Sequence, residues 1–141
     1  MEEKELRALM PIQAEWSIPQ LQENLAAALE GSGPALSTSS LSITEIDSAI
    51  ALVVNTSGST SLAKSVALSS AALIASTNAS HKYLGATPGD SWSLLLPTSH
   101  IAGLNVLIRA TALGSRVIDN RNTTKYIDAD FISIVPTQLH K

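Results

Sequence analysis

The sequence contains no cysteine, which excludes disulfide scaffolds, thiolate metal sites and cysteine nucleophiles together. Aromatic residues are scarce: Phe131, Tyr83, Tyr126, Trp16 and Trp92 are the whole set. Basic runs are missing too. Nine Lys and Arg are scattered against twelve Asp and Glu, for a net charge of -3, so nucleic acid finds no electrostatic footprint and is not an expected partner. The start, Met1-Glu2-Glu3-Lys4-Glu5, is acidic and leads to Pro11 and Trp16 rather than to an apolar run. It reads neither as a signal peptide nor as a membrane span. A cytoplasmic protein with no membrane partner is the expectation.

What is present is aliphatic. The 45% hydrophobic share comes mostly from Ala, Leu, Ile and Val, which suits helices packed on a sheet. A chain of 141 residues has length for one compact domain that buries about two thirds of its unfolded surface. Ser17 can cap a helix, Pro19 fits its first turn, and Ile18, Leu21, Leu25 and Leu29 recur at helical spacing. Gly31-Ser32-Gly33-Pro34 should end that helix. The polar stretch Ser37-Thr38-Ser39-Ser40 reads as an exposed loop.

Ala49-Ile50-Ala51-Leu52-Val53-Val54 is apolar without alternation, the pattern of a strand buried on both faces of a parallel sheet. After Lys64, alternating Val66 and Leu68 suggest a short strand ahead of a helix over 70–84. Gly85 and Pro88-Gly89-Asp90 turn the chain. Residues 92–96 read as a strand ended by Pro97, and 101–113 as a helix closed by Gly114. Short strands are expected at 116–118 and 131–135, with a polar loop at 119–124 between them and a further helix starting at Pro136. The alternation of strand and helix predicts an α/β fold with right-handed crossovers and a mainly parallel sheet.

The segment Thr56-Ser57-Gly58-Ser59-Thr60-Ser61-Leu62-Ala63-Lys64 directly follows the best strand. Glycine lets backbone N–H groups approach an anion, hydroxyls donate to phosphate or reach magnesium, and the Lys64 ammonium offsets phosphate charge. A flexible Ser/Thr/Gly linker has the same composition, but strand placement and the terminal lysine favour the phosphate loop. A P-loop needs Gly-x4-Gly-Lys-Ser/Thr, and Gly58 to Ser65 fits except for Ala63 at the second glycine. In a P-loop the lysine opens a helix, whereas Val66 and Leu68 suggest a strand, so P-loop nucleotide binding is the weaker alternative.

Thr56-Ser57-Gly58-Ser59-Thr60 with Lys64 resembles the phosphate loop of acyl- and aryl-CoA synthetases and other AMP-forming adenylating enzymes. Leu96-Pro97-Thr98-Ser99-His100-Ile101-Ala102-Gly103-Leu104 resembles the family's next motif, and Ile134-Val135-Pro136-Thr137 a later strand end. The stretch from Pro97 to Gly103, with Arg109 nine residues after His100, is most similar to the o-succinylbenzoate:CoA ligases of menaquinone synthesis. The resemblance covers nearly the whole chain after Leu29. It implies a partial three-layer sandwich, as in the N-terminal domain of adenylate-forming enzymes. It also implies an AMP-forming acid–CoA ligase that uses ATP, Mg2+ and CoA on a small carboxylate.

In that family's terms Thr56, Ser57, Gly58, Ser59, Thr60 and Lys64 grip the ATP phosphates, and Thr60 touches magnesium. His100 lines the acyl pocket and orients the reacting carboxylate or adenylate. Arg109 pairs with the substrate's second carboxylate. Without family context, a histidine at a helix start is commonly a cap or packing residue, and Arg109 in an apolar stretch is equally a surface or salt-bridged arginine. His81 and His140 have no metal-ligand company and are assigned no role.

Three loop positions depart from the family pattern: Ser61 and Ser65 replace glycine, and Ala63 replaces proline. A side chain at Ser61 costs about 1 kcal/mol if the position needs positive φ. The family's Tyr-x-x-Thr-Glu segment, its ribose-binding aspartate and its C-terminal domain with a catalytic lysine are not found. Residues 1–141 are therefore expected to be an incomplete N-terminal adenylation domain, inactive alone and inclined to self-associate through an exposed sheet edge. The non-enzyme alternative is a remnant or interaction fragment that keeps the fold without binding ATP.

Overall fold

The computed structural model describes residues 5–56 and 64–135. The elements run β1 (Leu6–Pro11), α1 (Ile18–Glu30), β2 (Ala35–Ser37), β3 (Glu45–Asp47), β4 (Ile50–Thr56), β5 (Lys64–Ser69), α2 (Ser70–Leu84), β6 (Trp92–Leu94), α3 (Ile101–Ala112), β7 (Ile118–Asp119) and β8 (Phe131–Ile132). The chain divides into two compact units, Met1–Ser76 and Thr77–Lys141, and each is described by itself.

The first unit holds a five-stranded sheet in the order β3-β1-β2-β4-β5. Its centre is parallel, through β1 with β2 and β2 with β4. Both edges are antiparallel, β3 on β1 and β5 on β4. The sheet is thus mixed, which corrects the expectation of a mainly parallel one. The reason is the length of a link: seven residues join β4 to β5, and a parallel crossover needs a dozen or more.

Sequence logic holds best around α1. Ser17 accepts from the backbone N–H of Gln20 through its side chain, and the Gln20 side chain accepts from the backbone N–H of Ser17, a reciprocal capping box. Pro19 sits in the first turn, and Gly31 ends the helix at φ 82°, a left-handed conformation that costs glycine little. Leu21, Leu25 and Ala28 are buried, with Ile18 and Leu29 half-buried, and α1 packs on β2 and β4. Four successive β4 residues, Ala51 to Val54, are all buried. Because alternate strand residues face opposite ways, both faces of β4 are covered, as expected.

The sheet also contains strands that periodicity missed. β1 lies in the acidic start, and only Leu9 of its six residues is fully buried. Arg7 fastens it by donating to the carbonyls of Ile50 and Gly33. β2 ends at Ser37, which is buried rather than exposed in a loop. Its hydroxyl donates to the carbonyl of Ser39 at 2.6 Å, so burial leaves it satisfied.

In the second unit three short strands form a parallel sheet ordered β7-β6-β8. The three β6 residues are fully buried, and α3 packs on this strand. The 101–113 and 70–84 helices appear where expected, the first ending one residue earlier and followed by Gly114 at φ 72°. The strands are shorter than expected. The 119–124 loop is not wholly polar surface: Asn120 is buried, donating from Nδ2 to Ser93 Oγ at 2.8 Å and to the carbonyl of Ile127 at 2.9 Å. Its Oδ1 accepts from the backbone N–H of Ile127. The helix expected from Pro136 lies outside the described residues.

Candidate functional site

Two groups of candidate residues occur, one in each unit. In the first, β4 and β5 pair so that Thr56 stands opposite Lys64 and Asn55 opposite Ser65. The two ends of the candidate phosphate loop are therefore fastened across one ladder. Ser57, Gly58, Ser59 and Thr60, and Ser61 with them, lie outside the described residues. The first helical residue after the loop is Ser70, six positions past Lys64. This arrangement is not that of a P-loop, where the lysine opens the helix, and it removes that alternative.

A belt of short polar side chains holds the loop base. The Asn55 backbone N–H donates to Thr38 Oγ1 at 3.1 Å, its Nδ2 donates to Ser39 Oγ at 2.7 Å, and its Oδ1 accepts from Ser65 Oγ at 3.1 Å. Asn55 thereby ties the strand entering the loop to the strand leaving it and to the chain after β2. Sequence reasoning assigned none of this. The available signal was that Ser65 and Asn55 flank Thr56 and Lys64 symmetrically, the pairing a hairpin produces.

The second group surrounds α3. His100 occupies its N-cap position, exposed, with extended backbone and no side-chain capping bond. It neither caps through its ring nor packs. Arg109 lies in the last turn, about two and a half turns or roughly 13 Å of helix rise further on. The two candidates mark opposite ends of one helix instead of forming a cluster.

Arg109 is half-buried, and its guanidinium carbon lies 5.2 Å from the centroid of the Trp92 ring. Such a cation–π contact is worth about 1 kcal/mol, more when desolvated. Its Nε is buried without a hydrogen-bond partner among the described residues. Burial lowers the Arg109 pKa from its ordinary value, since a desolvated cation is disfavoured. No anionic partner of Arg109 occurs among the described residues. Its half-buried guanidinium lies over the aromatic face and stays partly open to solvent, with Nε the buried, unpartnered atom.

Trp92 is held in turn. Its Nε1–H donates to His81 Nε2 at 3.2 Å, and Phe131 lies against it with ring centroids 5.1 Å apart. His81, assigned no role on sequence grounds, is buried. Its pKa falls below the ordinary 6.5, first through burial and then through the Arg109 charge, with Asp90 acting weakly the other way. The missed signal was spacing: Leu73, Thr77 and His81 recur every four residues and are the buried residues of α2, one stripe of the helix. Among the described residues no three His, Asp or Glu side chains come together to hold a metal ion. No described helix is long and apolar enough to cross a membrane.

A family model described as AMP-binding enzyme matches residues 5–139. Among curated proteins, a probable 2-succinylbenzoate–CoA ligase of Mycobacterium tuberculosis is 52% identical over 71 residues, covering 50% of this chain and 18% of that protein. The 2-succinylbenzoate–CoA ligase of Lactococcus lactis is 32% identical over 108 residues, covering 71% of this chain and 24% of the relative. The chain thus spans about a fifth to a quarter of these relatives' length. Among solved structures, o-succinylbenzoate coenzyme A synthetase (MenE) from Bacillus subtilis in complex with AMP matches with a TM-score of 0.50 at 21% identity, covering 82% of this chain and 37% of that one. The same enzyme in complex with ATP and magnesium ion also matches with a TM-score of 0.50, at 22% identity, over 82% of this chain and 30% of that one. At such identity the likeness is one of fold. With 135 consecutive residues, 5 to 139, under one family model, the chain belongs to the AMP-binding enzyme family.

Proposed function

We propose that this chain serves an ATP-dependent acid–CoA ligase of the 2-succinylbenzoate type, acting in menaquinone synthesis. The observation that carries the reading is the hairpin of β4 and β5, which sets Thr56 opposite Lys64 at the two ends of a Ser/Thr/Gly loop, in a chain matched by the AMP-binding family. Relatives named for this activity extend well beyond the matched residues, so the reaction belongs to the whole ligase. These residues would furnish its phosphate loop and the helix of its acyl pocket.

In this reading residues 56–60 and Lys64 hold the ATP phosphates. Donors and a cation fixed before reaction stabilise the charge that develops on phosphate oxygens. The substrate carboxylate attacks the α-phosphorus, the bond to pyrophosphate breaks, and an acyl-adenylate forms. The CoA thiol then attacks the acyl carbon and AMP leaves. Magnesium would be held by phosphate oxygens together with the Thr60 hydroxyl. His100, exposed at the start of α3, is free of capping duty and would orient the reacting carboxylate. Arg109, a half-buried cation with an unpartnered Nε, would take a second carboxylate, for which an arginine fork is the suited donor.

The test is calorimetric titration of the chain with Mg-ATP. Wild type should bind, and Lys64→Ala should weaken binding about tenfold or more, the loss expected for a charge-assisted phosphate contact. Identical traces for the two proteins would reject the phosphate-loop assignment and leave a fold-only remnant.

A further inference from the structure

We propose that His81 is a positioning residue for Arg109, acting through the ring of Trp92. The proposal rests on the reading of Arg109 as the carboxylate-binding group. It adds a residue that touches neither substrate nor nucleotide.

Three contacts make the argument. The Trp92 indole N–H donates to His81 Nε2 at 3.2 Å. That nitrogen must therefore present a lone pair, which places the ring proton on Nδ1 and leaves the imidazole neutral. The same indole lies beneath the Arg109 guanidinium, 5.2 Å from its carbon, and beside Phe131. Arg109 Nε has no hydrogen bond of its own among the described residues. An arginine held by a ring face and not by a bond at Nε depends on where that ring sits. The ring's rotation is fixed at its one polar atom by His81.

Neutrality of His81 is part of the device. The charged groups that act on it are Arg109 from α3, which repels a proton, and Asp90 from the turn before β6, which attracts one. A protonated His81 would have no lone pair for the indole and would add a second positive charge beside Arg109. The carboxylate-binding end of α3 would then lose its platform.

The experiment uses the chain with Trp16→Phe, so that Trp92 is the sole tryptophan, excited at a wavelength that tyrosine does not absorb. Emission is followed against pH and then during titration with 2-succinylbenzoate. Trp92 emission should fall on acidification with a midpoint below 6.5, because a protonated imidazole quenches a neighbouring indole. Arg109→Met should move that midpoint upward, and His81→Gln should abolish it. An unmoved midpoint in Arg109→Met overturns the proposal whatever the ligand does. In the titration at pH 7.5, His81→Leu should weaken binding about tenfold, as for a buried donor left unpaired. His81→Gln, which keeps an acceptor for the indole, should restore affinity to within about threefold of wild type. Where Arg109→Met weakens binding, equal affinity of His81→Leu and wild type also overturns the proposal. If 2-succinylbenzoate binds equally to wild type and Arg109→Met, the carboxylate reading of Arg109 fails, and the midpoint shift alone decides the coupling.

Discussion

Gly103, in the first turn of α3, lies against the carbonyl of Pro97 so closely that a Cβ built on it would overlap that oxygen. The same Cβ would stand 2.6 Å from the Pro97 carbonyl carbon and 3.0 Å from the Leu96 oxygen. These obstacles are backbone and cannot swing aside as a side chain could. Helix α3 therefore sits directly on the chain leaving β6, and His100 is placed by that seat. Gly103→Ala should force the helix start away from Pro97 and cost about 3 kcal/mol, the upper part of the range for overpacking. Urea unfolding measures the loss, and an unchanged midpoint would mean that the contact relaxes freely.

The loop base makes a separate prediction. Asn55 joins β4, β5 and the chain after β2 through Ser65, Ser39 and Thr38. Asn55→Ala keeps the backbone bond to Thr38 and removes both side-chain bonds. The expected stability loss is about 1 kcal/mol, the net value of one partly buried and one exposed hydrogen bond. Mg-ATP affinity should drop as well, because the loop ends would lose their side-chain link while Lys64 remains. Calorimetry below the unfolding transition separates the two effects. Normal affinity in a destabilised Asn55→Ala would confine the residue to a structural role.

Much of this architecture was legible because single elements carried redundant local signals. For α1, the Ser17 and Gln20 capping box, Pro19, the Leu21 and Leu25 stripe and Gly31 agree, and agreement across levels makes a segment readable. β4 was legible because four apolar residues in a row leave no solvent face. β1 was hidden, since its partners lie far along the chain and it holds only Leu9 in the core. Glu45–Asp47 pairs with β1 through backbone bonds at the sheet edge, where side chains need not be apolar. At the candidate site, motif order exposed Lys64, His100 and Arg109. The contacts of Asn55 and His81 are cross-strand and cross-element ones that no local window contains.

Asn120 offers a test of the second unit. Its amide closes three hydrogen bonds to Ser93 and Ile127 while its own backbone N–H donates to the carbonyl of Leu94. Asn120→Ala would leave the Ser93 hydroxyl and both Ile127 backbone groups without these partners. A cost of about 2 kcal/mol is expected, the penalty of one buried hydroxyl and two partly buried backbone groups left unpaired. Amide exchange near Ile127 should accelerate before that of α1, which belongs to the other unit. Unchanged exchange at Ile127 would show that the 119–127 segment is held by other contacts.

The pH dependence of stability follows from His81. Burial and the Arg109 charge lower its folded pKa below 6.5, so on acidification the unfolded chain takes up the proton first. Where the unfolded state binds more protons, stability rises with pH. The contribution of His81 is therefore fully present above pH 6.5, declines as pH falls through that value toward the lowered folded pKa, and changes no further below it. Asp119 acts in a lower window: its hydrogen bonds to Arg121 depress its pKa below 3.8, so its contribution is lost only in stronger acid. Urea unfolding of wild type between pH 7.5 and 5.5 should show falling stability, and His81→Gln should show a shallower fall over the same interval. Parallel curves for the two proteins would mean that His81 takes up its proton equally in the folded and unfolded chain. In that case the indole bond and the Arg109 charge would not hold it neutral.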